Sequence, residues 1–99
     1  FDFKPEALHV AMSGRFTFED SDHFRGLLRV LKDSHARAEV RFDLRELSFI
    51  DASSLALMML AHDLAKKLHM SLIFEVPQGQ VHAALEAAAV YNRLNILGV

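Results

Sequence analysis

The chain has 99 residues, 52% of them hydrophobic and 24% charged, and a formal net charge of −2. One domain spanning residues 1–99 accommodates that length, and it buries roughly two-thirds of its unfolded surface with no need for metal or disulfide. The lack of cysteine excludes disulfides, thiolate catalysis and zinc–sulfur sites. A slightly acidic balance with singly dispersed arginines argues against nucleic-acid binding.

The longest apolar run, Leu55 to Ala61, is far short of the ~20 residues that a membrane span needs. No signal peptide is legible, and a reducing, cytoplasmic setting is expected.

Phe1-Asp-Phe-Lys4 alternates, Pro5-Glu-Ala7 reads as a turn, and Leu8 to Ser13 alternates again until Gly14. The pair predicts a β-hairpin with Pro5 in its connection. Thr17-Phe-Glu-Asp20 has the hydroxyl-x-x-acid form of a capping box. Phe24, Leu27, Leu28 and Leu31 then follow helical spacing toward an end near Lys32-Asp33. Gly26 costs that helix ~1 kcal/mol relative to Ala, and is read as marking a close packing contact.

From Ala38 to Leu44 the alternation is strict, with Val40, Phe42 and Leu44 on one side. Met70 to Val76 repeats it through Met70, Leu72, Phe74 and Val76, as Leu8, Val10 and Met12 do in the hairpin. A parallel sheet covered on both faces would show continuous apolar runs instead. Helices therefore cover one face and leave the other at least partly wet.

After Leu44 the chain reads as a strand end, a short turn bearing Asp51, Ser53 and Ser54, and an apolar helix from about Ser53 to Leu68. At 100° per residue, Leu57, Leu60, Ala61, Leu64 and Leu68 form the stripe expected to be buried. Leu55 and Met59 fall opposite, beside His62 and Lys66, with Met58 on the flank. Large apolar residues on an outward face fit an adaptable binding surface, or else they pack under the first helix or the Gly14–Phe18 loop.

Pro77-Gln-Gly-Gln80 reads as a turn, Val81, Ala84, Leu85 and Ala88 as the stripe of a third helix, and Leu94 to Leu97 as a last strand. The order is β-β-α-β-α-β-α-β. Right-handed crossovers place all three helices on one face of a mixed sheet of four to five strands, an α/β two-layer fold.

The six histidines show no zinc-ligand spacing, and no metal or cofactor is expected. Neither a G-x-S-x-G serine nor a glycine-rich phosphate loop is present, so an enzyme is not expected. The helix start at Asp51, with its free backbone N–H groups, has the makings of an anion site. Asp51 also fits plain helix capping, which accounts for the same letters.

The stretch Asp43-Leu-Arg-Glu-Leu-Ser-Phe-Ile-Asp51-Ala-Ser-Ser-Leu55 resembles the D-L-x-x-V-x-F-[IM]-D-S-[SA]-G-L signature of the STAS family, the anti-sigma-factor antagonist fold. Met12-Ser-Gly-Arg-Phe-Thr17 stands in the place of that family's L-x-G-x-[LI]-[DT], and Val76 to Leu85 resembles its third-helix entry. The resemblance implies a non-enzymatic module that docks on a serine-kinase anti-sigma factor and is released when the kinase phosphorylates the serine after the aspartate. Here that position is Ala52, and the next glycine is Ser54. Alanine has no hydroxyl, so the usual switch cannot operate at that position.

The regulatory turn is thus Asp51, Ala52, Ser53 and Ser54. The implied partner-binding residues are Thr17, Phe18, Leu55, Met58, Met59 and His62. A second resemblance, of Leu55 to Lys67 to the helix of accessory subunits of lipid ABC transporters, implies docking beside an ATPase instead. The partner in either case is a protein.

Overall fold

Strict alternation in the strands and i, i+3, i+4 spacing in the helices produce one apolar sheet face packed under helices, in the computed structural model that describes residues 1–4, 8–33, 39–92 and 94–98. The elements are β1 (Asp2–Lys4), β2 (His9–Phe16), α1 (Ser21–Lys32), β3 (Glu39–Ile50), α2 (Ala52–Lys67), β4 (Ser71–Glu75), α3 (Gly79–Asn92) and β5 (Asn95–Leu97). They form a single sheet in the order β1-β2-β3-β4-β5. The first pair is antiparallel and the other three are parallel, so the sheet is mixed, as expected. The turn expected at residues 5–7, and Ala38, lie outside the described residues.

Val10, Met12, Phe16, Val40, Phe42, Leu44, Leu72 and Phe74 point into one core with Phe24, Leu27, Leu28 and Leu31 of α1 and Val81 and Leu85 of α3. A chain of aromatic rings runs through it. Phe16 meets Phe24 at 4.9 Å, Phe24 meets Phe42 at 5.9 Å, and Phe42 meets Phe74 at 5.8 Å, the last two edge-to-face. Edge-to-face rings contribute beyond their buried area, and here they tie α1 to three adjacent strands. The other sheet face carries Glu39, Arg41 and Glu75, with Arg41 bridging the two acids at 2.6 and 3.2 Å. Charged side chains with partners on the same face are what a wet sheet surface requires.

Two strands run further than the alternation indicates. β2 continues past Gly14 to Phe16, and β3 continues past Leu44 to Ile50. Register shifts between Ala11 and Ser13 and between Gly14 and Arg15 explain both extensions. Gly14 takes φ +71°, a conformation that glycine adopts without strain. The inserted residues break the two-residue period, so the buried positions in β3 run Leu44, Leu47, Ile50 rather than every second residue.

Two further expectations of the fold are corrected, the close packing at Gly26 and the buried stripe of α2, while the capping box forms as read. The Thr17–Asp20 box closes a 3₁₀ turn, Phe18–Asp20, with the Asp20 carboxylate accepting from the Thr17 amide at 3.0 Å, and α1 begins only at Ser21. A Cβ placed on Gly26 would meet nothing within 4 Å, so this glycine marks no close packing.

The buried arc of α2 is Ser54, Leu57, Met58, Ala61 and Ala65. Leu60 is 46% exposed, and Leu64 and Leu68 are half-buried. The stripe is rotated by roughly a sixth of a turn from the one built on the large residues. The arc mixes the small side chains of Ser54, Ala61 and Ala65 with the large ones of Leu57 and Met58. Since α2 is apolar almost all round, hydrophobicity alone could not select the arc.

Candidate docking site

β2 and β3 are parallel neighbours, paired Phe16↔Ile50 at their ends, so both strands leave the sheet at the same end. Asp51 is the N-cap of α2 in extended conformation (φ −96°, ψ 178°). One carboxylate oxygen accepts from the Ser54 amide at 2.8 Å. The other accepts from the Phe18 amide at 2.9 Å, across 33 residues of chain. The Asp51 amide itself donates to the Phe16 carbonyl at 3.3 Å. A single aspartate thus caps its own helix and staples the β2–α1 loop to the β3–α2 turn.

The Ser54 amide is the main cause that holds the Asp51 carboxyl below its ordinary range; partial burial opposes it and the Phe18 amide adds to it. The anion site expected at this helix start is therefore filled by the chain's own carboxylate, and a second anion would meet that charge.

The staple brings Thr17 and Phe18 beside Ala52 and Ser53. Phe18 is 65% exposed, the most exposed large apolar side chain among the described residues. Ala52 and Ser53 are exposed too, whereas Ser54 is fully buried and its hydroxyl has no hydrogen-bond partner among the described residues.

The remaining site residues separate. Met58 is fully buried, so it is a core residue and offers nothing to a partner. Leu55 and Met59 are half-buried and pack on the core, with His62 half-buried on the same flank of α2. The reason is the rotation of the buried arc, which draws that flank inward and turns Leu60 out.

Gln80 has no signal in the apolar pattern, yet it holds the turn. β4 pairs with β3 only from Glu39 to Asp43, which leaves the rest of β3 without a strand on that side. Gln80, in the first turn of α3, supplies the missing bonds. Its amide oxygen accepts from the Ile50 amide at 3.0 Å, and its amide nitrogen donates to the Ile50 carbonyl at 2.8 Å. An unpaired backbone group at the buried Ile50 would be costly, and the carboxamide has the donor and acceptor needed to mimic a strand.

Among the described residues no cluster of three His, Asp or Glu side chains is arranged to hold a metal ion. No described helix is long and apolar enough to cross a membrane.

A family model described as "Mlab, STAS domain" matches residues 1–97. Among solved structures, the anti-sigma factor antagonist SpoIIAA in its unphosphorylated form superposes with a TM-score of 0.69 at 13% identity, covering 92% of this chain and 78% of that one. At that identity the likeness concerns the fold. No curated protein matches the chain.

Proposed function

Because the chain belongs to the STAS-domain family, we propose that it is a non-enzymatic docking module whose partner-facing surface is the stapled pair of loops. The observation that carries this reading is the Asp51 carboxylate, which holds exposed Phe18 beside exposed Ala52 and Ser53. Thr17 borders this surface, and the half-buried flank of Leu55, Met59 and His62 extends it along α2. An aromatic ring on a pre-formed loop is the kind of anchor on which protein interfaces concentrate their energy.

In this reading the module acts as an anti-sigma-factor antagonist does, in a reducing, cytoplasmic setting, on a kinase-type anti-sigma factor. Ala52 stands where the phosphoacceptor would be, so docking is not switched there by covalent charge. It follows concentration and affinity instead.

A second reading is favoured by the resemblance of Leu55 to Lys67 to the helix of transporter accessory subunits. There the same surface docks beside the ATPase of a lipid ABC transporter.

Affinity purification from the native cell, with bound proteins identified by mass spectrometry, tests both. A serine-kinase-like protein supports the first reading and a nucleotide-binding transporter subunit the second. Phe18→Ala is expected to lose at least tenfold in partner affinity, about 1.4 kcal/mol. Undiminished binding by Phe18→Ala and Ser53→Arg together overturns the assigned surface. Ala52→Ser is expected to acquire phosphate from a kinase-type partner where the parent chain does not. Stoichiometric phosphate on Ser53 of the parent chain would show that the switch has moved rather than vanished.

A further inference from the structure

The rotation of α2 that turns Leu60 outward also shapes a groove that the docking turn does not use. Leu60 and Leu64 of α2 and Leu28 of α1 floor a depression of about 270 Å³, and Arg25, Arg29 and Lys32 of α1 rim it. The three cations lie at i, i+4 and i+7, so they run along one edge for roughly 10 Å. None of them forms an ion pair among the described residues. On a chain of net charge −2, this strip of positive charge beside exposed leucine is a local exception with directional consequences.

We propose that this groove seats an acidic amphipathic helix of the protein partner, its apolar ridge on Leu28, Leu60 and Leu64 and its carboxylates on Arg25, Arg29 and Lys32. The inference rests on the docking reading above and adds the chemistry of a second contact. Two packed helices leave between them a trough into which a third helix lays its i, i+4 ridge. The floor supplies desolvation, and the rim selects for negative charge at matching helical spacing. A bilayer surface fits less well, because a membrane-binding face projects its apolar residues outward from one helix, whereas these leucines line a depression between two helices with cations along its α1 edge alone.

Two synthetic helical peptides of about 18 residues, sharing one leucine stripe and flanked by glutamates in one and lysines in the other, provide the test. They are titrated into isotope-labelled protein and followed by amide chemical shifts and fluorescence anisotropy. The glutamate peptide is expected to shift amides of α1 and α2 along the groove and to bind about tenfold more tightly than the lysine peptide. Arg25→Glu with Arg29→Glu should reverse that preference. Leu60→Asp, on an exposed position, should abolish binding with an unchanged circular dichroism spectrum.

Equal binding of the two peptides, no saturable binding, or shifts confined elsewhere overturns the proposal. So does sedimentation with phosphatidylglycerol-containing vesicles in place of peptide binding. Phe18→Ala separates the two levels. If it loses the native partner while the peptides fail, the docking surface stands and the groove is not part of it. If the peptides bind and Phe18→Ala keeps its partner, the assigned turn fails instead.

Discussion

Asp51 does two things with one side chain, capping α2 and stapling the β2–α1 loop, and its titration reports on both. Its carboxyl is held below the ordinary carboxylate value by amides that exist only in the folded chain. The stabilisation is therefore complete above the unfolded value of ~3.9 and is lost as pH falls through the lower folded value. The melting temperatures of the parent and of Asp51→Ala should differ by a constant amount above about pH 5 and converge in stronger acid. A gap independent of pH down to full protonation would mean that the two amide bonds do not act on the charge. His69 shows the opposite kind of economy. It occupies the left-handed position after α2 (φ 58°), with its amide on the Lys66 carbonyl and the Met70 amide on the Ala65 carbonyl, the two bonds of a Schellman cap. A histidine carries a steric cost there that glycine lacks. His69→Gly should raise stability by about 1 kcal/mol, read as a higher urea midpoint at unchanged slope.

Among elements, α2 is where apolar patterning and three-dimensional packing part. Met58→Ala should cost about 2–5 kcal/mol, because it empties a fully buried site. Leu60→Ala should stay within about 0.5 kcal/mol, although periodicity puts Leu60 in the buried stripe and Met58 on the flank. Equilibrium denaturation of the two variants decides the order. α1 behaves differently, since its polar face is distinct and Phe24, Leu27, Leu28 and Leu31 are all buried as their spacing requires. Its one irregularity, Gly26, faces open space, so Gly26→Ala should stabilise by about 1 kcal/mol in the same assay. Strand identity, element order and the mixed sheet were legible because one-sided burial writes itself as alternation. The bulges around Gly14 and Leu47 were not, because an inserted residue shifts the phase and mimics a strand end. In the candidate site, Asp51 and its neighbours were legible as a helix start. Its partner Phe18 lies 33 residues away, and that distance is bridged by sheet register rather than by local spacing.

At the scale of the whole molecule, β3 has 12 residues and β4 has 5, so the central strand overhangs β4 and carries the candidate docking turn on the overhang. Gln80 of α3 secures that overhang through its two bonds to Ile50. Gln80→Ala should cost about 1–3 kcal/mol, because it leaves the Ile50 amide and carbonyl unpaired. Native-state hydrogen exchange should show the Ile50 amide opening faster while Phe42 in the same strand stays protected. Unaltered exchange at Ile50 would mean that water replaces the carboxamide without loss. A strand held by a ladder is released only cooperatively, whereas a carboxamide lets go by rotating two or three side-chain bonds. On the α3 side the candidate docking turn is therefore able to loosen as a small unit of low opening free energy, while its ladder to β2 and the aromatic-lined core beneath it stay closed.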